Sequence, residues 1–128
     1  MILLLDTSTP VCRITIYKDG QSSEYEWQAE RGLAKGLLGY IEECLGKTDG
    51  KITDISGLGV FKGPGSFTGL RIGITVLNTI ASVQTVPIVG VAGTDWKEVA
   101  LQRLNLGEDD KIVLPEYGSA ATITKPRK

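Results

Sequence analysis

The spacing of hydrophobic positions changes several times along the chain, and each change marks an element. Residues 1–5 (Met1-Ile2-Leu3-Leu4-Leu5) form an unbroken apolar run, the pattern of a strand buried on both faces. Residues 11–17 alternate in part, with Val11, Ile14 and Ile16 set against Arg13 and Thr15. Residues 22–28 set Tyr25 and Trp27 against Glu24 and Glu26. Between these two runs, Lys18-Asp19-Gly20-Gln21 carries the Asp-Gly pair of a tight hairpin.

The period then lengthens. Over residues 30–46, Leu33, Leu37, Leu38, Tyr40, Ile41, Cys44 and Leu45 gather on roughly 160° of a helix turning about 100° per residue. Lys35, Glu42 and Glu43 lie opposite, and Gly32, Gly36 and Gly39 share their side. Two readings fit that glycine row. One is a weak surface helix, each glycine costing about 1 kcal/mol relative to alanine; the other is close approach by a second backbone.

Asp49-Gly50 breaks the helix, and residues 55–61 read as a fourth strand. After Lys62-Gly63-Pro64-Gly65, Ser66 stands where an N-cap is needed, and a helix is predicted over 66–83. Phe67, Leu70, Ile72, Ile74, Val76, Leu77, Ile80, Ala81 and Val83 cover roughly 220° of it. The remaining stripe is Thr68, Arg71, Thr75, Asn78, Thr79 and Ser82, uncharged except for Arg71. A sheet hides only one side, so such a helix requires a second cover from a neighbouring helix or another protein. Residues 87–91 predict a fifth strand, and 94–105 a third helix capped by Thr94, with Asp95 favouring its dipole. A turn over 107–110 and a short further strand over 111–114 complete the pattern, and 118–128 read as a loose basic tail. Hairpin strands followed by alternating helices and strands predict an α/β fold, a mixed five-stranded sheet with helices on its faces.

Composition narrows the function. The net charge is −1, from 14 basic and 15 acidic residues, which is not the electrostatic footprint of a strong nucleic-acid binder. No run approaches the about 20 apolar residues of a membrane span. The opening run lacks a basic flank and enters Asp6 directly, as a strand does and a leader does not, so a cytoplasmic protein is expected. Cys12 and Cys44 lie on separate elements inside apolar runs, and the expectation is two buried free thiols. The chain has no histidine, which removes Ser-His and Cys-His nucleophilic pairs and every His-containing zinc site. No metal site or cofactor is expected.

Two motifs remain. Asp6-Thr7-Ser8-Thr9 places an acid and three hydroxyls at a strand end, an arrangement that fits either a metal-bound phosphate or a plain Asx/ST turn. Gly63-Pro64-Gly65-Ser66-Phe67-Thr68-Gly69-Leu70-Arg71-Ile72-Gly73 leads glycine-rich backbone into a helix N-terminus, which can hold an anion or simply make a turn. It lacks the Lys-Ser/Thr pair and the spacing of a P-loop. Asp6, Thr7, Ser8, Gly63, Gly65 and Ser66 are therefore the candidate phosphate or nucleotide loop.

The run GPGSFTGLRIG at 63–73, the opening ILLLDTSTP, and Val86-Pro87-Ile88-Val89-Gly90-Val91 together resemble the TsaB (YeaZ) family over residues 1 to 103. The resemblance implies the actin-like ATPase fold of the sugar kinases and chaperone ATPases. It also implies a non-catalytic role in threonylcarbamoyladenosine modification of tRNA, beside a TsaD-type catalytic subunit and a TsaE-type ATPase, with tRNA met only indirectly. The family pairs through the two helices that here correspond to 30–46 and 66–83. On that basis Leu37, Tyr40, Ile41, Cys44, Leu70, Arg71, Ile74 and Leu77 are the expected partner interface, and a homodimer on the same surface is a further expectation. Two features depart from the family. Its members usually carry two similar domains, where residues 1–117 read as one, with Leu114-Pro115-Glu116-Tyr117 resembling the family's C-terminal tail. Many members also have a histidine where this chain has Leu33. The competing readings are a phosphotransferase-like or protease-like enzyme and a degenerate fragment.

Overall fold

The computed structural model describes residues 1–116, and their order is that of a sheet built before and between its helices. The strands are β1 (Ile2–Asp6), β2 (Val11–Lys18), β3 (Gln21–Gln28), β4 (Gly57–Phe61) and β5 (Ile88–Val91). The helices are α1 (Leu33–Lys47), α2 (Phe67–Gln84) and α3 (Trp96–Asn105). Single 3-10 turns, Glu30–Gly32 and Ile52–Asp54, lead into α1 and β4.

Strand order is β3-β2-β1-β4-β5. β1, β2 and β3 pair antiparallel, whereas β4 and β5 join β1 in parallel, so the sheet is mixed as the element order predicts. The hairpin turns on Asp19 and Gly20, both at positive φ (53° and 77°), the pair of conformations that matches strand twist. β1 is central and buried on both faces.

The pleat divides the core into two layers. Leu3, Leu5, Ile14, Ile16, Leu58, Val60 and Ile88 face α1 and α2 and merge with Leu37, Ile41, Cys44, Leu45, Leu70, Ile74, Leu77 and Ile80. Leu4, Val89 and Val91 face the other way and pack with Trp96 and Ala100 of α3. Gly59 lets α3 approach, since a β-carbon there would press on Leu4 and sit 3.1 Å from Ala100 Cβ. Full burial of a Leu or Ile side chain contributes about 1.5–3 kcal/mol, so this two-layer core is the main source of stability.

Two local expectations are corrected. Thr94 does not cap α3: the N-cap is Asp95, and its side chain makes no capping hydrogen bond. Residues 111–114 form no strand among the described residues; they continue a segment, 107–116, laid across the β5 edge. The 118–128 tail and Tyr117 lie outside the described residues.

Candidate functional site

The glycine-rich run begins where β4 ends. Ser66 caps α2 as expected, its Oγ accepting from Gly69 N–H at 3.3 Å. Opposite it, the β1–β2 turn is closed by Asp6, whose Oδ1 accepts from Ser8 N–H at 2.8 Å. The two loops are pressed together. Ser66 N–H donates to Ser8 O at 2.8 Å, and the buried Thr7 hydroxyl donates to Gly69 O at 2.7 Å. A β-carbon on Gly65 would strike Ser8, one on Gly69 the Thr7 carbonyl, and one on Gly73 the Thr7 side chain. Gly63, at φ +128°, lies under the Glu116 carbonyl, again with no room for a side chain. The spacing of the motif thus follows from packing a helix against a turn.

That packing bears on the expected phosphate loop. Asp6, Thr7, Ser8, Gly65 and Ser66 are brought together, whereas Gly63 lies against Glu116 and Leu70, and the Ser8 and Ser66 N–H groups and the Thr7 hydroxyl already have partners within the chain. Those three donors are therefore not free for an anion. Among the described residues no group of three or more His, Cys, Asp or Glu side chains could hold a metal.

The second candidate lies on the outer side of α1 and α2. Of the eight residues expected at a partner interface, Leu37, Ile41, Cys44, Leu70 and Leu77 are fully buried and Ile74 is 3% exposed, all within the chain's own core. They hold the helices on the sheet and present no surface, which corrects that assignment. Tyr40 is half-buried and packs on Trp27, ring centroids 5.0 Å apart, while the Trp27 indole lies over Gly36. Gly36 accordingly serves an internal contact, whereas Gly32 and Gly39 face open space. Burial, then a hydrogen bond to Cys44, raises the Tyr40 hydroxyl above its usual range. Cys12 and Cys44 are buried free thiols; burial pushes Cys12 up to about 12 and also raises Cys44. Arg71 alone of the eight stands exposed, its guanidinium 5.3 Å from the Phe67 ring centroid.

What α1 and α2 do present is a continuous trough. Near the glycine-rich loop it is lined by Thr9, Pro10, Glu30, Arg31, Ala34, Thr68 and Ile72. Its middle is Ala34, Arg71, Ile72, Thr75 and Val76, and its far end is Leu38, Ile52, Thr79, Ile80, Val83 and Gln84. Leu38 is 48% exposed and Val83 70%. Leu38, Ile72, Val76 and Val83 are the residues that sequence reasoning did not separate from the core; Thr75 and Thr79 belong to the polar stripe that it set apart. On α2, Leu70, Ile74 and Leu77 are buried against the sheet, while Phe67, Arg71, Thr75, Thr79 and Val83 are exposed.

With this geometry in view, comparison with known proteins is specific. A family model described as "TsaD: tRNA N6-adenosine threonylcarbamoyltransferase" matches residues 27–103. The "tRNA threonylcarbamoyladenosine biosynthesis protein TsaB" of Escherichia coli K12 is 33% identical over 91 residues, which is 71% of this chain and 39% of that protein. The Haemophilus influenzae protein of the same name is 30% identical over 84% of this chain and 46% of its own length. The solved structure of YeaZ from Pseudomonas aeruginosa superposes with a TM-score of 0.67 at 28% identity, over 71% of this chain and 43% of that one. The chain therefore spans less than half the length of each of these three proteins. The fold is actin-like, as in the YeaZ structures, and the chain belongs to the family that the TsaD model describes, among its TsaB (YeaZ) members.

Proposed function

We propose that this chain is a non-catalytic partner of a TsaD-type threonylcarbamoyltransferase in the modification of tRNA adenosine to threonylcarbamoyladenosine. The observation that carries the reading is the outer trough of α1 and α2. It is long, apolar at its floor, and carries a single charge from α2, at Arg71. A helix pair of matching shape can fill such a trough in a complex, with Leu38, Ile72, Val76 and Val83 as apolar contacts and Arg71 as a polar anchor. The net charge of −1 gives no general attraction to tRNA, so RNA is met through the partner. A TsaE-type ATPase joins the same assembly, and self-association on the trough competes with the catalytic subunit. Residues 1–117 act as one TsaB-like domain, working in the cytoplasm. The described part of the chain holds no helix long and apolar enough to cross a membrane.

The test is co-elution with the TsaD-type protein of the same organism, by size-exclusion chromatography with light scattering. A one-to-one complex is expected. Leu38→Asp and Val83→Asp change exposed residues and leave the core intact. Each is expected to weaken the complex about tenfold or more, equivalent to roughly 1.4 kcal/mol. Separate elution of folded wild-type protein would overturn the proposal.

A further inference from the structure

β5 ends the sheet, and its sequence invites trouble. Ile88-Val89-Gly90-Val91 is uncharged and rich in β-branched residues, the composition of an edge that recruits further strands. In a strand paired in parallel on one side only, alternate residues turn both backbone polar groups outward. Here those residues are Ile88 and Gly90, and all four groups are taken without a strand. Ile88 N–H donates to Asp109 Oδ1 at 3.1 Å, and Ile88 O accepts from Asp110 N–H at 2.8 Å. Gly90 N–H donates to Asp110 Oδ2 at 2.8 Å, and Gly90 O accepts from Arg103 Nη1 at 3.0 Å.

The segment that supplies these partners is itself tied down. Arg103 also binds Glu108 and Asp110, joining α3 to the segment. The Asn78 amide makes two hydrogen bonds to the Val113 backbone, each 2.9 Å, and the Val113 side chain fills the space left by Gly90. Glu116 N–H then donates to Lys62 O at 2.6 Å.

We propose that residues 107–116 are an intramolecular strap that closes the β5 edge and keeps it from pairing with β5 of a second copy of this chain. Two aspartates and an arginine stand in for a strand, and they satisfy the edge without offering a new one. This device is separate from the α1–α2 trough and does not depend on the function proposed for it.

The full chain carrying Arg103→Ala and Asp110→Ala tests the strap, read by amide hydrogen exchange and by light scattering over a concentration series. In the wild-type chain the Ile88 and Gly90 amides are expected to be protected and the protein not to associate through this edge. In the variant, exchange at those two amides is expected to rise at least tenfold while Leu70 and Leu77 stay protected, and the mass is expected to grow with concentration. Unchanged protection at Ile88 and Gly90 in the folded variant, or an opened edge with no association, would overturn the proposal. Should the double variant fail to fold, Asp109→Ala removes the acceptor shared by Ile88 N–H and Lys111 N–H and leaves the groups bonded to Gly90 in place. Faster exchange at Ile88 with Gly90 unaffected, and association with it, then supports the strap; an unaltered Ile88 contradicts it.

Discussion

The most informative single residue is Thr7. Its hydroxyl crosses from the end of β1 to the Gly69 carbonyl in the first turn of α2, and Gly73 makes room for its side chain. Thr7→Val should preserve the shape and lose the hydrogen bond, destabilising the fold by about 1–2 kcal/mol in chemical denaturation. Gly73→Ala forces a methyl group into Thr7 and should cost about 1–3 kcal/mol. Cys12 makes a separate prediction. Burial raises its thiol from 9.0 to about 12, so the folded chain keeps a proton that the unfolded chain releases. Below pH 9 both states hold that proton and the group contributes nothing; as pH rises from 9 towards 12 the folded state loses stability. Cys44 acts in the same sense. The unfolding midpoint should therefore fall less between pH 7 and pH 10 in Cys12→Ala than in the parent, and native Cys12 should resist thiol reagents that label the unfolded chain.

At the scale of elements, α2 shows what a sequence reveals and what it hides. Its apolar arc was too wide for one sheet, and that much was legible from periodicity. Which half of the arc faces the sheet was not, because helical spacing puts Leu70, Ile74 and Leu77 in one row and Ile72, Val76 and Val83 in another with equal regularity. Packing decides it: the larger row fills the space over β1 and β4. Leu77→Ala should accordingly cost about 2–5 kcal/mol of stability, a core effect and not an interface effect. The strands were legible because β1 is continuous, β2 alternates, and Asp19-Gly20 marks the hairpin. The segment over 107–116 was not, since side-chain carboxylates replace the ladder that would have identified it. Asp110 makes that segment acid-sensitive. Burial alone would raise its carboxyl, but the Arg103 hydrogen bond, the Gly90 N–H and the Arg103 and Lys62 charges together hold it below the usual range. A depressed value stabilises the fold above the ordinary carboxylate range, and the contribution disappears as pH falls through the folded value. Protection of the Gly90 amide should then fall in acid before that of Leu58 on the neighbouring β4, a sequence that hydrogen exchange at stepped pH would reveal.

For the whole molecule, the two faces of the sheet have different tasks. α3 completes the core on one side, whereas α1 and α2 complete it on the other and leave an apolar trough outward. A TsaD-type protein is the partner proposed to fill this trough. Calorimetric titration of the chain with the TsaD-type protein of its own organism tests it most directly, with Leu38→Asp on the trough and Glu24→Lys on the distant β3 edge measured in parallel. Saturable one-to-one binding, weakened about tenfold or more by Leu38→Asp and little changed by Glu24→Lys, is the predicted result. No binding by the folded chain, or binding indifferent to Leu38→Asp, would contradict the account.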